Sequence, residues 1–389
     1  MSEQQEPTFR GRSMICFGHD WSGDPLSKTH LMRLLSKENK ILWINSIGYR
    51  APTASARDLK RIVNKLKAFT EPVKEVEKNI FVLSPLAIPA YGLPFMKEIN
   101  RELLKLQIKR AMKRLGFSRP INWVFNPTGS VVAGSLGEDA VVYYCVDEFT
   151  AFHDAGTGAM VEMERQLLRK ADLVVVSAER LLKAKSPENP NTVLIRHGVD
   201  YDHFRKTLLA ETVIPDEIKD LPKPVLGYFG LMAKDWIDVP LLEKLARKYA
   251  HGSLVLLGHV NMDMGALPSM PNVHLLGRKK FSDLPAYSKG FDVALNVFPI
   301  NEVTKSANPL KVREYLAAGL PVVSPRIPEV EVLGDQVFVA DDHDDYLRKV
   351  EEALKDPGPK NERSLAMKDE SWAGRVRELA RQFARVARI

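Results

Sequence analysis

The chain has 389 residues, 45% of them hydrophobic and 27% charged, with a net charge of +7. That length is more than one ordinary core serves, so two domains are expected, and a balanced composition without low-complexity tracts excludes a fibrous or disordered protein. The basic excess admits a membrane surface or anionic small molecules as partners; with no zinc-finger spacing and no aromatic RNA-binding signature, nucleic acid is not expected.

The first residues, MSEQQEPTFRGRS, are polar and lack the apolar centre of a signal peptide. No apolar run approaches the roughly 20 residues of a membrane-spanning helix. Cys16 and Cys145 lie in apolar runs and read as buried free thiols. The expected location is the cytoplasm, with peripheral attachment at the inner face of the cell membrane.

In chain order, SMICFGHD reads as a first strand ending in a polar loop, residues 26–37 as a helix and KILWIN as a second strand. NIFVLSP, INWVFNP, AVVYYCVD, ADLVVVSA and TVLIRH follow as strands, with helices near 97–115, 128–137 and 158–170. Residues 1–205 thus form an N-terminal Rossmann-like domain. The polar stretch from Arg205 to Pro224, with three prolines, reads as a linker over 206–224. A second series spans 225–370. Its strands are PVLGYFG, SLVLLGH, NVHLLG, FDVALNVF, PVVS and QVFVA, and its helices lie near 239–250, 282–289, 309–318 and 343–355. The last helix, 371–389, is expected to cross back onto the first domain. Alternating strands and helices predict an α/β protein of two doubly wound domains, facing each other across a cleft at the C-terminal ends of their strands.

The most informative stretch is ANPLKVREYLAAGLPVVS, residues 307–324. Asn308 suits the N-cap and Pro309 the first helical position; Gly319 and Pro321 end the helix. An exposed helix N-terminus favours an anion such as phosphate, Lys311 adds a point charge, and Glu314 is placed to accept hydrogen bonds from a ribose. The plainer reading is a capped helix with a solvated Lys–Glu pair.

This segment resembles the donor-site motif of GT-B glycosyltransferases of the large group 1 superfamily. ERQLLRKADLVVVSAERL with IRHGVDYDHF, YFGLMAKDWIDVPLLEKLA, and NVHLLGRKKFSDLPAYSKGFDVALNVFP resemble further runs of that group, in the expected order. VVYYCVDEFTAF followed by YFG…DWID looks especially like teichuronic-acid-biosynthesis-type polysaccharide glycosyltransferases. The resemblance covers about residues 120–380 and is weak over the first hundred.

The resemblance implies a transferase moving a sugar from a nucleotide-diphosphate sugar, UDP-linked, to a glycan or lipid-linked acceptor. It assigns the donor diphosphate to the backbone at Asn308, Pro309 and Leu310, and the ribose to Glu314. Lys311 is the phosphate partner by charge and place, and Gly230 lets the backbone approach the phosphates. Arg278 lies at the loop where family members contact the base. Two departures stand out. Ser306 occupies the position of an earlier glutamate, leaving the sugar to Thr304 or Asn308. Leu231 replaces an arginine after the first strand of the second domain, with Lys234 as the substitute.

On the acceptor side, GHDWSGDP brings His19, Asp20, Trp21 and Gly23 to the loop after the first strand, where relatives have a glycine-rich loop; Asp24 and Pro25 equally suit a plain helix start. In CVDEF, Asp147 ends a strand, placed to take the acceptor hydroxyl's proton with its pKa raised by partial burial, and Glu148 is an acceptor-binding candidate. A base on the acceptor suits inversion, whereas the resemblance favours retention. His197 is expected to be structural at the hinge. No Asp-x-Asp pair marks a metal site, so leaving-group charge is expected to be met by the helix dipole and lysines, with no cofactor.

Residues 97–114, KEINRELLKLQIKRAMKR, carry seven basic and two acidic side chains. Arg101, Lys105, Lys109 and Lys113 form a stripe, Leu103, Leu104, Ile108, Ala111 and Leu115 supply apolar surface, and residues 57–67 are basic as well. Such a helix suits an anionic membrane, or a solvated outer face over an ordinary core. Two other functions share the architecture: a UDP-sugar 2-epimerase, and a non-catalytic sugar-nucleotide binder.

Overall fold

Short runs of three to six residues, most of them apolar and buried, alternate with helices along the chain, the pattern of parallel sheets covered on both faces. The computed structural model describes residues 8–23, 25–47, 73–88, 94–149, 151 and 158–386. The basic stretch 57–67 and Asp24 lie outside them. The chain divides into two units, Met1–Arg196 with Val376–Ile389, and His197–Arg375.

The first unit holds an eight-stranded sheet in the order β3-β4-β2-β1-β5-β6-β7-β8. The strands are β1 Ser13–Phe17, β2 Lys40–Ile44, β3 Lys74–Glu77, β4 Ile80–Leu83, β5 Ile121–Val124, β6 Ala140–Cys145, β7 Leu173–Val176 and β8 Thr192–Leu194. All neighbours run parallel except β3 and β4. β3 reads KEVE and is largely exposed, so no apolar signal announces it. Both cysteines are free and buried.

One expected helix, 128–137, is instead a 3₁₀ turn over Pro127–Val131. The Asn126 side chain accepts from the Thr128 N–H and opens the turn. Gly134 and Gly137, both at positive φ, then hold the chain out of helical geometry.

The second unit holds a six-stranded parallel sheet, β11-β10-β9-β12-β13-β14. Its strands are β9 Val225–Phe229, β10 Ser253–Leu257, β11 Val273–Gly277, β12 Val293–Leu295, β13 Val322–Pro325 and β14 Val337–Ala340. The strand order reverses between β9 and β12, as it does between β1 and β5 in the first unit; such reversals open a crevice at the strand C-termini.

The stretch expected as a linker is packed onto the second unit. Within it Thr207 is buried and donates its hydroxyl to the Pro285 carbonyl at 3.1 Å, and Ile218 is buried in the helical turn Asp216–Lys219; just before it, Phe204 is fully buried and stacks on Phe229 at 5.9 Å. These anchors move the boundary to Arg196/His197. The last helix, Trp372–Val386, starts in the second unit and ends in the first, where Phe383 packs 5.3 Å from Phe9.

Candidate functional site

In the second unit the site grows from the end of β9. Gly230 has φ +143, and a Cβ there would meet the Lys311 ammonium at 2.9 Å and the Tyr228 hydroxyl at 2.9 Å. The missing side chain is the space that Lys311 occupies. The Lys311 Nζ donates to the Tyr228 hydroxyl at 2.8 Å and lies 4.4 Å from the Tyr228 ring centre and 4.6 Å from that of Phe298. Among the described residues it has no carboxylate partner. Removal from water pulls its pKa down to about 7, with Glu314 opposing the fall.

Lys311 stands in the first turn of the helix Leu310–Ala317, whose N-terminus no side chain caps among the described residues. Glu314 follows three residues later on the same face. It is 7% exposed, and burial pushes its pKa up to about 8; Lys311 opposes that rise and Asp200 adds to it. No hydrogen bond to the Glu314 carboxyl is formed among the described residues. An ammonium and a carboxyl, both poorly solvated, therefore sit at an uncapped helix N-terminus.

Asn308 does not cap this helix. Its side-chain oxygen accepts from Arg313 Nη1 at 2.5 Å, and Pro309 takes the cap position, so the helix starts at Leu310. Ser306 and Thr304 are buried, and the Thr304 hydroxyl donates to the Pro299 carbonyl at 2.5 Å. Lys234 and Arg278 are exposed on the segments that follow β9 and β11.

In the first unit, the loop after β1 is fastened to the end of β2 and the residues that follow it. Asp20 accepts from the Ser46 N–H at 3.1 Å and its hydroxyl at 2.8 Å. The Trp21 N–H donates to the Asn45 side-chain oxygen at 2.9 Å, and the Trp21 ring meets Trp43 edge-on at 4.9 Å. The His19 carbonyl accepts from the Trp43 indole at 2.8 Å, and the Gly23 N–H donates to the Asp20 carbonyl at 2.9 Å.

Asp147 lies beyond the end of β6. Burial raises its pKa to about 6, and the charge of Lys28 opposes the rise. Lys28 stands in the first turn of the helix Ser27–Leu35 and forms no ion pair among the described residues. Its neighbour in sequence to Asp147, Glu148, is engaged differently: Lys185 Nζ donates to both Glu148 carboxylate oxygens at 3.1 and 3.0 Å and to Glu164 at 2.9 Å. Glu164 also accepts from the Tyr143 hydroxyl at 2.7 Å. His197 is buried and its pKa falls to about 3, through burial and the charges of Arg313 and Arg375, so it stays neutral at working pH.

The structure thus brings Gly230, Lys311 and Glu314 together, with Asn308, Pro309 and Leu310 as the adjoining turn. Sequence reasoning missed Tyr228, Phe298 and Asp200 around them, and Lys28 beside Asp147. Asp200 stood in the HGVD run, and Lys28 one turn past the GHDWSGDP loop; proximity in sequence to a candidate loop was the available signal. Among the described residues no group of His, Cys, Asp or Glu is arranged to hold a metal ion.

This architecture is the GT-B fold. Over 96% of its length the chain superposes on 98% of sucrose-phosphate synthase from Thermosynechococcus elongatus, with a TM-score of 0.68 at 14% identity. It superposes on the whole of Anabaena HepE in complex with UDP, using 96% of its own length, with a TM-score of 0.64 at 11% identity. Residues 223–356, which hold the Lys311–Glu314 site, match the family described as Glycosyl transferases group 1. That match lies within the second unit. The chain is also 22% identical over 260 residues to the putative teichuronic acid biosynthesis glycosyltransferase TuaH of Bacillus subtilis (strain 168); the match covers 61% of this chain and 64% of that relative.

Proposed function

We propose that the protein is a glycosyltransferase that moves a sugar from a UDP-sugar to a hydroxyl of a surface-polysaccharide or lipid-linked glycan precursor. The observation that carries this reading is the Lys311 ammonium, held by aromatic faces and a tyrosine hydroxyl at an uncapped helix N-terminus, with the Glu314 carboxyl one turn on. The helix N–H groups and Lys311 receive the diphosphate, and Glu314 the ribose hydroxyls. HepE, solved with UDP, and the polysaccharide role in the TuaH name support the donor and acceptor classes.

In the transfer, the acceptor oxygen bonds the anomeric carbon as the bond from that carbon to the β-phosphate oxygen breaks and UDP leaves. Asp147 takes the hydroxyl proton, and Lys28 keeps its carboxylate charged. Lys311 and the helix dipole meet the charge that grows on the departing diphosphate. Lys234 and Arg278 are assigned to the phosphates and base, and the loop from His19 to Gly23 to the acceptor wall.

The helix Pro94–Leu115 is assigned to an anionic membrane, but through a different apolar set from the one its sequence suggested. Leu104, Ile108 and Ala111 are buried in the first unit's core. Phe95, Ile99 and Leu106 are 61%, 44% and 49% exposed on the opposite face, with Lys109, Arg110 and Lys113 exposed beyond them. Apolar side chains beside a cationic cluster suit anionic lipid. Among the described residues no helix is long and apolar enough to cross a membrane.

Thermal-shift measurement with a panel of nucleotides and nucleotide sugars tests the donor reading. UDP compounds are expected to stabilise the protein selectively, and Glu314→Ala to abolish the shift. Equal stabilisation of the variant would remove Glu314 from the site.

A further inference from the structure

Arg313 is 1% exposed, a guanidinium inside the core of the second unit, on the helix that carries Lys311 and Glu314. Such a charge is retained only when its donors are matched. Two partners match it. Nη1 donates to the Asn308 side chain at 2.5 Å, and Nε to Glu370 at 3.4 Å. Glu370 is shared, because Arg375 also donates to it. One side chain therefore grips the turn before the donor helix and, at its other end, the segment 370–375.

That segment is bound in turn to residues 197–199. The Val199 N–H donates to the Glu370 carbonyl at 2.9 Å, and the Trp372 N–H to the Val199 carbonyl at 3.2 Å. A Cβ on Gly198 would meet the Trp372 backbone at 2.7 Å, so the two segments touch without space for a side chain. His197 packs on Trp372 with ring centres 5.9 Å apart, and its Nδ1 is buried without a hydrogen bond among the described residues. The chain passes between units at Arg196/His197 and again at Arg375/Val376. Both crossings thus emerge from the patch that Arg313 ties to Asn308.

We propose that Arg313 is a positioning residue that couples the turn Asn308–Leu310 to both crossover segments, so that a diphosphate at the turn restrains residues 197–199 and 370–375. This rests on reading the turn as the diphosphate site. Coupling of this kind is reciprocal: if the diphosphate restrains the crossovers through Arg313, losing Arg313 loosens them and weakens nucleotide binding together. Glu314 and Lys311 touch the ligand; Arg313 acts through Asn308.

The test is amide hydrogen exchange of the full-length protein, with and without UDP, in wild type, Arg313→Met, Arg313→Lys and Glu370→Gln, beside UDP affinity by calorimetry. In the absence of UDP, Arg313→Met is expected to speed exchange together in peptides covering 197–199, 306–311 and 370–375, with β9 and β10 unchanged. Glu370→Gln should loosen the two crossover peptides and leave 306–311 close to wild type. With UDP, the wild type should gain protection in all three peptides and Glu370→Gln in 306–311 alone, with affinity at least tenfold weaker in Arg313→Met. Arg313→Lys, which keeps the charge but not the two-ended grip, should recover melting temperature more than affinity. Faster exchange confined to 306–311 in Arg313→Met would overturn the coupling, and so would UDP protection of the crossovers that persists in Glu370→Gln. Joint loosening in Arg313→Met, with a wild type that does not bind UDP, would uphold the grip and overturn the diphosphate reading instead.

Discussion

The Lys311 ammonium hydrogen-bonds the Tyr228 hydroxyl at 2.8 Å while lying 4.4 Å from the centre of the same ring. Tyrosine thereby holds the lysine by its face and its hydroxyl, without neutralising it as a carboxylate would. The charge stays available to a ligand, and being poorly solvated it gives up a proton at about pH 7. UDP, a stronger anion than the groups around Lys311, should restore that proton on binding. Affinity is therefore expected to fall as pH rises above 7, with net proton uptake near pH 8. Lys311→Met should bind UDP about 10- to 100-fold more weakly, as expected for a lost hydrogen bond to a charged group of about 1.5–3 kcal/mol. It should also lose the lysine part of the pH dependence. Calorimetry in buffers of different ionisation enthalpy measures both, and the ligand's own titration cancels between the two proteins.

Gly230→Ala probes the same contact from the backbone. The φ of +143 strains any side chain there, a cost on the order of 1–3 kcal/mol. The added methyl would also stand 2.9 Å from the Lys311 ammonium. The variant should melt lower than wild type and bind UDP at least tenfold more weakly. Undiminished UDP binding would mean that Lys311 reaches the ligand by another path.

Asp147, with its pKa raised to about 6, is half ionised there in the free protein. A general base must be ionised, so kcat/KM should rise with pH through 6, then decline above 7 as Lys311 loses its proton. Asp147→Asn should lower kcat by about 10²- to 10⁴-fold, the range for a lost general base, and abolish the acidic limb while leaving UDP affinity intact. A parallel loss of UDP affinity would point to a structural role.

The sequence foretold the strands of both sheets with the exception of β3, because each central strand is an apolar run that only a doubly covered sheet can bury. It also placed Lys311 and Glu314 on one helical face, since local spacing decides that. Contacts distant in sequence escaped it: Tyr228 beneath Lys311 is 83 positions away. Asn308 escaped for a related reason. Its capping signal was sound locally, but the buried Arg313 needed an acceptor and took its side chain. Lys185, in an ordinary amphipathic helix, gave no hint that it would bind Glu148 and Glu164.

That last cluster has its own consequence. Lys185 and Glu164 are 7% and 5% exposed at their side chains, and Glu148 is 18%. Lys185→Met would leave buried carboxylates facing each other without a cation, at a cost of about 3–5 kcal/mol. A pronounced fall in the first unit's denaturant midpoint is expected. Glu148→Gln should cost less, because Glu164 still pairs with Lys185. If Glu148→Gln instead impaired transfer without affecting stability, Glu148 would belong to the acceptor site.

Glu314 gives a stability signature of opposite sense to the usual carboxylate. Its pKa is raised from 4.5 to about 8 on folding. Between those values the folded state binds more protons than the unfolded one, so the contribution of this group falls as pH rises. It is fully present below pH 4.5 and lost on passing through 8. Lys311, lowered from 10.5 to about 7, acts the other way, adding stability as pH rises from 7 to 10.5. Between pH 5 and 7 the Glu314 slope is therefore opposed by no change at Lys311, and Asp147, raised from 3.8 to about 6, adds to it at the acidic end. His197, lowered from 6.5 to about 3, opposes these slopes below pH 6.5, so the Glu314 effect is read as the difference between the ligand-free wild type and Glu314→Gln, which should fall over this interval by an amount on the order of a few kcal/mol. Glu314→Gln, which has no proton to lose at this position, should lack the Glu314 fall and overtake the wild type near neutrality. Denaturant midpoints at half-unit pH steps measure this. Parallel profiles for the two proteins would mean that the Glu314 carboxyl is better solvated than its burial indicates.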